Sequence, residues 1–216
     1  MRWARCPVCR ARATRPFAAV EGRRYGRCRA CAATFLDPVQ LPARADEHAH
    51  YRTHRNDAAE PGYRAFAARL ARPLLARVGR QATVLDFGCG PSSALAALLE
   101  EAGCRVARFD PLFDPDPAPL ASTFDGVAAM EVIEHLHRPA DAIDRLARRV
   151  RPGGWLGLMT CVQTDDARFA RWWYRRDPTH VVFYRARTLH VVAARLGWRC
   201  ELPAKDVALM KRPARP

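Results

Sequence analysis

From about residue 62 onward, apolar positions alternate between short runs and helical spacing. The short runs have the length of buried strands and fall at residues 84–85, 104–110, 124–130 and 155–160. Between them, apolar residues recur every three or four positions, which predicts helices at residues 62–78, 91–102, 138–150 and 187–196. Two last runs, at 198–201 and 207–210, suit a closing antiparallel pair. This order predicts an α/β fold with right-handed crossovers.

The turn between the first of these strands and its helix contains Asp86 and two glycines. Gly88 and Gly90 let the backbone take positive φ and approach a ligand closely, and the following helix offers free N–H groups at its N-terminus. A strand, a glycine turn and a helix start form the first half of a nucleotide-binding βαβ unit. Two glycines alone fit any tight turn equally well, so residues farther along must decide.

The second strand ends in an acid, Asp110, which lies 24 positions after Asp86 (110 − 86). In nucleotide-binding folds an acid at the tip of this strand binds the ribose hydroxyls. Because Pro111 follows it, Asp110 is also typical of a simple Asp-Pro turn. The acid therefore adds to the glycine turn but has a structural alternative.

Four segments together resemble the class I S-adenosylmethionine-dependent methyltransferases, within residues 82–160. They are VLDFGCGPSS, the acid in RFDP, FDGVAAMEVIEHL and RPGGWLGLMT. A nicotinamide-binding domain prefers G-x-G-x-x-G, whereas Pro-Ser-Ser follows Gly90. The resemblance implies a Rossmann-like doubly wound sheet that binds S-adenosylmethionine. Gly88 and Gly90 would approach the methionine moiety, and Asp86 would order that turn or contact the cofactor amine through water. Asp110 would bind the ribose, and Glu131 would border the methionine end.

The chain departs from this family between residues 110 and 124. Four prolines in thirteen residues predict a loop where a full member has a helix and another strand. We therefore expect an abbreviated sheet, and the resemblance leaves the adenine contacts unassigned.

Three side chains are candidate bases for the methyl acceptor. They are His135 in EVIEHL, His180 and Tyr184 in DPTHVVFY, a segment that resembles the wall of the acceptor pocket in several family members. A histidine titrates near neutrality and suits proton removal. The structural alternative is that His135 caps its turn and that His180 hydrogen-bonds the backbone. The run Trp172–Tyr174 is a further candidate for the acceptor pocket or for the core.

The first 36 residues predict a separate metal-dependent module. Two C-x-x-C pairs, Cys6–Cys9 and Cys28–Cys31, are separated by 18 residues (10 to 27), a spacing typical of a four-cysteine structural zinc site. A turn at Glu21–Gly22 predicts a small β-hairpin between the pairs. A closed shell of four thiolates leaves no open position, so the predicted zinc is structural.

Residues 37–61 are rich in proline and polar residues and predict a solvated linker, followed by a methyltransferase domain over 62–216. Pro73 lies inside the first helix of that domain, where it would kink the helix or begin a second one.

The formal net charge is +14, which is typical of proteins that bind nucleic acids. The positive charge is nearly all arginine and is spread along the chain, so we favour a small-molecule acceptor. An RNA base methyltransferase acting on ribosomal or transfer RNA and a non-catalytic binding module remain alternatives. No apolar run is long enough to span a membrane, and MRWARCPVCR lacks the apolar region of a signal peptide. We therefore expect a cytoplasmic protein with reduced cysteines.

Overall fold

The structure, a computed structural model, describes residues 5–53 and 57–214. The strands are β1 (Thr14–Val20), β2 (Arg23–Cys28), β3 (Thr34–Leu36), β4 (Thr83–Phe87), β5 (Arg105–Phe109), β6 (Phe124–Met130), β7 (Val150–Met159), β8 (Val182–Phe183), β9 (Arg199–Ala204) and β10 (Val207–Lys211). The helices are α1 (Arg44–Tyr51), α2 (Pro61–Val78), α3 (Ala94–Glu101), α4 (Pro139–Arg149) and α5 (Ala186–Arg195). The strands and helices expected after residue 62 are thus confirmed, with small shifts at their ends.

The larger sheet has six strands in the order β5-β4-β6-β7-β10-β9. The first four run parallel, and β10 is antiparallel to both of its neighbours. This is the expected mixed α/β sheet with its closing antiparallel pair. As the prolines predict, the loop after β5 adds no strand to this sheet, and its described residues form a short 3-10 helix at Ala118–Ala121.

Helices cover both faces of the larger sheet. Val84 and Leu85 are adjacent in β4, so their side chains point to opposite faces. Val84 packs in a buried cluster with Leu70 of α2 and Leu95 of α3, while Leu85 shares the other cluster with residues of α4 and α5. Each fully buried leucine contributes about 1.5–3 kcal/mol. The sheet is therefore doubly wound, as predicted.

Helix α2 is continuous through Pro73. The Glu60 carboxylate accepts from the first N–H groups of the helix at Gly62 and Tyr63, and Gly79 ends it at φ 83°. Proline inside a helix removes one hydrogen bond, but packing of Leu70 and Leu74 against the sheet keeps the segment helical. A second helix does not begin at this proline.

The smaller sheet has the order β1-β2-β3-β8 and joins the first three strands to a late segment of the chain. The predicted hairpin is confirmed in β1 and β2. Its fourth strand, β8, comes from the methyltransferase part, and Tyr25, Phe35 and Phe183 are buried in one core with residues of the larger sheet. The boundary at residue 36 stays a prediction, and the structure shows that this module shares both sheet and core with the rest of the chain.

The segment expected as a solvated linker contains α1. His137 pairs with Glu47 of this helix at 2.7 Å, and His50 pairs with Asp177 at 3.2 Å. Part of the connector is thus held against the domain. Among the described residues, no helix combines the length and the apolarity that crossing a bilayer requires.

Candidate functional site

The glycine turn after β4 lies at the carboxyl end of the larger sheet, where open α/β sheets bind ligands. Gly88 has φ +76°, and a Cβ there would lie 2.4 Å from Cγ2 of Val132. Gly90 has φ +63°, but a Cβ there would meet no atom within 4 Å. Gly88 is therefore required by packing, whereas Gly90 borders open space into which a ligand can approach the backbone.

Asp86 orders this turn from below. It is buried at the end of β4 and accepts a hydrogen bond from the Ser93 hydroxyl at 2.5 Å. Ser93 is the N-cap of α3, and its oxygen accepts from the Ala96 N–H at 3.0 Å. Burial raises the pKa of Asp86 to about 6, partly opposed by the bond from Ser93. The structure thus supports the ordering role and places Asp86 beneath the turn.

Asp110 links the second strand to the glycine turn. Its Oδ2 accepts from the Gly90 N–H at 3.0 Å, and its Oδ1 accepts from the N–H groups of Leu112 and Phe113 at 2.8 and 3.2 Å. The turn-forming alternative is therefore present in the structure. A carboxylate has about four acceptor sites, so one site on Oδ2 remains for a ribose hydroxyl.

A cavity of about 180 Å³ lies beside Asp110. Its walls are His48, Arg52, Pro111, Leu112 and Phe113. Phe113 is 36% exposed, so its ring offers an aromatic surface to a planar ligand. The proline-rich loop thus provides a wall at the position where the sequence left the cofactor contacts unassigned.

Glu131 follows β6 with a left-handed backbone, at φ 51°. Its Oε2 accepts from the Tyr174 hydroxyl at 3.0 Å. Burial, together with the charge of Glu134, raises the pKa of Glu131 to about 9. A half-buried acid, Glu131, and a fully buried one, Glu134, therefore lie three residues apart after β6, and the Tyr174 hydroxyl donates to Glu131.

His135 and His180 lie together, with ring centroids 4.6 Å apart. His135 Nδ1 is 3.3 Å from the carbonyl of Thr179, and His180 Nδ1 is 2.7 Å from the carbonyl of Tyr174. Tyr51 of α1 packs edge-on against His135 at 5.2 Å. His180 thus hydrogen-bonds the backbone as its structural alternative requires, whereas His135 bonds the carbonyl of a distant segment rather than capping its own turn.

Tyr184 lies in the core. It is fully buried, and its hydroxyl donates to the Ile133 carbonyl at 2.9 Å. Burial raises its pKa well above the ordinary value. A phenol that is buried, protonated and already donating to the backbone is poorly suited to act as a base, so the geometry favours a structural role for Tyr184.

The aromatic run divides among different environments. Trp173 is 68% exposed, whereas Tyr174 is buried and its hydroxyl also contacts Thr160 at 3.1 Å. Tyr174 therefore belongs to the cluster of acids and histidines, whereas most of the Trp173 side chain faces solvent.

The structure brings the four predicted cysteines together. The sulfurs of Cys6 and Cys31, and those of Cys9 and Cys28, are 3.6 Å apart, and all four lie within 4.8 Å of one another. A tetrahedral zinc ion with Zn–S bonds of about 2.3 Å separates its sulfurs by about 3.8 Å, whereas a disulfide bond is about 2.0 Å long. The donors fit a metal ion, and the pairs are not disulfides.

The two cysteine turns have matching backbones. Arg10 and Ala32 each have left-handed φ values, 64° and 65°, and each donates to the carbonyl of the first cysteine of its pair, Cys6 or Cys28. In turn, the peptide N–H groups of Cys6 and Cys28 donate to the carbonyls of Ala11 and Ala33. Two equivalent turns thus present two sulfurs each.

Comparisons with known proteins agree with this fold. A family model described as a methyltransferase domain matches residues 31–202. The chain belongs to this family. It is 32% identical over 93 residues to the ubiquinone biosynthesis O-methyltransferase of Serratia proteamaculans, covering 43% of this chain and 39% of that protein. It is 32% identical over 106 residues to the tRNA U34 carboxymethyltransferase of Pseudoalteromonas atlantica, covering 38% and 33%. The match thus spans between a third and two fifths of these curated relatives' length.

A solved structure shows the same fold over nearly the whole chain. The 1,6-didemethyltoxoflavin-N1-methyltransferase of Burkholderia thailandensis, with bound 1,6-didemethyltoxoflavin and S-adenosylhomocysteine, aligns with a TM-score of 0.53. The alignment covers 92% of this methyltransferase-family chain and 99% of that chain, at 18% identity. At this identity the likeness shows the fold alone.

Sequence reasoning missed Glu134 and the helix α1. Glu134 stood in the quoted EVIEHL motif, but its burial depends on packing that the motif does not reveal. The signal for α1 was weak because the helix is short and mostly exposed. Both contribute to the cluster around His135.

Proposed function

We propose that the protein is an S-adenosylmethionine-dependent methyltransferase. The observation that carries the proposal is the contact between Asp110 and Gly90 at the carboxyl ends of β4 and β5. It places an acid with a remaining acceptor site next to a glycine with an open face, in a chain of the methyltransferase-domain family. This pair suits a ribose hydroxyl and an adjoining amino-acid moiety.

The cofactor then extends along the ends of three strands. Gly88 and Gly90 border its methionine moiety above Asp86, Asp110 binds the ribose, and Glu131 borders the methionine end. Phe113 provides an aromatic surface for the adenine in the cavity beside Asp110. The structures of relatives with bound S-adenosylhomocysteine support this class of cofactor.

The reaction requires mainly positioning, since the methyl group leaves a sulfonium. The acceptor atom attacks the methyl carbon in line with the C–S bond, which breaks to release S-adenosylhomocysteine. A base is needed only for an acceptor that must lose a proton. His135 and His180 are the candidates. Because carbonyls only accept, Nδ1 carries the hydrogen in both rings and Nε2 is the basic atom of each neutral imidazole.

We propose a small-molecule acceptor. The ubiquinone and toxoflavin relatives support it by their names. The second candidate is a tRNA or rRNA base, favoured by the match to a tRNA-modifying relative and by the net charge of +14. A non-catalytic module would fail to turn over any acceptor.

We further propose that Cys6, Cys9, Cys28 and Cys31 hold a structural zinc ion. Their near-tetrahedral sulfur spacing and the paired turns support it. We also propose a cytoplasmic location, a compartment in which paired cysteines of this kind hold metal ions rather than disulfides.

Calorimetric titration with S-adenosylmethionine and S-adenosylhomocysteine tests the cofactor site. We expect both to bind, and Asp110→Ala to weaken binding at least about tenfold because hydrogen bonds to a charged group contribute about 1.5–3 kcal/mol. The matched control is Asp116→Ala, an exposed acid of the same loop that accepts from the Ala118 N–H. Absence of binding by folded wild-type protein, or equal binding by Asp110→Ala, would contradict the proposal.

A further inference from the structure

Glu134 is a fully buried acid just after the end of β6. The residue is 0% exposed, and within the described chain its carboxylate oxygens have no well-formed hydrogen bond, although the hydroxyls of Tyr174 and Thr160 approach them. In the described part of the chain, the one basic group within ion-pair distance is the imidazole of His135, whose Nε2 lies 3.8 Å from Oε1. Burying a charged carboxylate costs several kcal/mol unless the charge is paired and hydrogen-bonded. A cation bound at Glu134 would offset that cost.

Two imidazoles next to Glu134 are already oriented as metal ligands. His135 and His180 each donate Nδ1–H to a main-chain carbonyl, of Thr179 and Tyr174 respectively. Metal-binding histidines commonly donate their other ring N–H to a carbonyl or carboxylate, which fixes the tautomer and the ring orientation. These backbone contacts put the lone pair of each neutral ring on Nε2, and both Nε2 atoms face carboxylates: that of His135 lies 3.8 Å from Glu134, and that of His180 lies 3.9 Å from Asp177.

The three ligand atoms converge. One atom from each of Glu134, His135 and His180 lies within 4.8 Å of the others. Donors on a tetrahedral ion with bonds of about 2.0–2.1 Å are about 3.3 Å apart, so small side-chain rotations suffice to close the shell. Two imidazoles and one carboxylate suit divalent transition metals, in contrast to the four thiolates of the cysteine cluster.

We propose that Glu134, His135 and His180 form a second metal site, for a divalent transition-metal ion. Three protein ligands leave a coordination position open, as in catalytic sites. An acceptor hydroxyl bound there would give up its proton to solvent water more readily because the cation lowers its pKa, and its oxygen would then attack the methyl carbon. This last role rests on the proposed methyl transfer, whereas the metal site itself does not. With an ion bound, both Nε2 atoms are ligands, so the ion replaces an imidazole as the agent of acceptor deprotonation.

Cobalt titration of the full-length, zinc-loaded protein tests the site. We expect one equivalent of Co²⁺ to bind in addition to one zinc, with visible d–d absorption and no thiolate charge-transfer band. Glu134→Gln should weaken this binding at least about tenfold, since even residues that only support metal ligands account for that much. Glu47→Gln is the matched control, because Glu47 forms another carboxylate–histidine pair, with His137. It should retain the second equivalent.

Folding is checked by thermal unfolding without added metal. Glu134→Gln keeps the size of the side chain and removes a buried charge, so it should not lower the melting temperature; if it does, His180→Gln replaces it in the titration. The proposal is overturned if wild-type protein binds no second equivalent, as a buried water on Glu134 would predict, or if the ligand variants bind Co²⁺ like wild type. Calorimetric titration of the same samples with S-adenosylhomocysteine distinguishes loss of the metal site from failure of the cofactor site.

Discussion

The glycine turn and the histidine cluster differ in how the chain builds them. The turn is local, because the bonds from Asp86 and Asp110 all stay within residues 86–114. The cluster joins α1, the end of β6 and the segment before β8, which are far apart in the sequence. A local site needs only its own strand–turn–helix unit, whereas the cluster needs the whole chain to fold.

The cysteine module is what holds the last of these segments. The Leu36 N–H donates to the Val181 carbonyl at 2.8 Å, and the guanidinium of Arg23 donates to the Asp177 carbonyl at 3.3 Å. On the other side, the Thr188 hydroxyl donates to the Cys31 carbonyl at 2.8 Å. The module therefore supports His180, which lies between these anchors, and not the glycine turn.

Cys31→Ser should produce the largest effect and separate the two regions. Structural zinc contributes about 10–16 kcal/mol in small zinc modules, as much as the whole stability of a typical domain. We expect loss of the zinc ion and faster hydrogen exchange over residues 5–36 and 177–184, while residues 83–110 keep their protection. Mass spectrometry of exchange, with metal analysis, measures both.

Cys200→Ser is the matched control, since Cys200 lies outside the cysteine cluster. It should keep the zinc ion and the exchange pattern. If Cys31→Ser instead exposed the glycine turn and the histidine cluster equally, the contrast between a local and an assembled site would be wrong.

The same contrast explains what could be predicted from the sequence. Gly88, Gly90 and Asp110 were identifiable because strand, turn and acid follow one another within 25 residues (86 to 110). The cysteine pairs were identifiable because each turn is a short motif. Glu134 was not, because its burial depends on segments brought from elsewhere by the fold. Tyr184 shows the converse: its residue type and its place near a motif made it a candidate base, but the sequence did not reveal that its buried hydroxyl donates to the Ile133 carbonyl.

Gly88→Ala sharpens the comparison within the glycine turn. The alanine would have to adopt the left-handed backbone of Gly88, and its Cβ would overlap Val132, whose branched side chain has little freedom to move. Strain and overpacking of about 1–3 kcal/mol each predict a loss of about 4 kcal/mol in unfolding free energy. Gly90→Ala should cost only about 1 kcal/mol but weaken S-adenosylhomocysteine binding. Denaturant unfolding measures the stability of each variant, and calorimetry measures its binding of S-adenosylhomocysteine. Equal losses of stability in the two variants would contradict a packing role for Gly88 and a binding role for Gly90.

Asp86→Asn tests the glycine turn through pH. The pKa of Asp86 is about 6 in the folded protein against an ordinary value of 3.8, so the folded state binds its proton more tightly than the unfolded state does. The stability from this group is full below about pH 4 and is lost as the pH rises to 6. At about 1.4 kcal/mol per pKa unit, the loss is on the order of 3 kcal/mol. Asparagine cannot ionise, so in denaturant unfolding the stability of the variant relative to wild type should increase from about pH 4 to pH 6.

Ser93→Ala removes the hydrogen bond that favours the ionised carboxylate of Asp86, so the pH range over which stability falls should move to higher pH. An unchanged range would show that burial alone sets the pKa of Asp86.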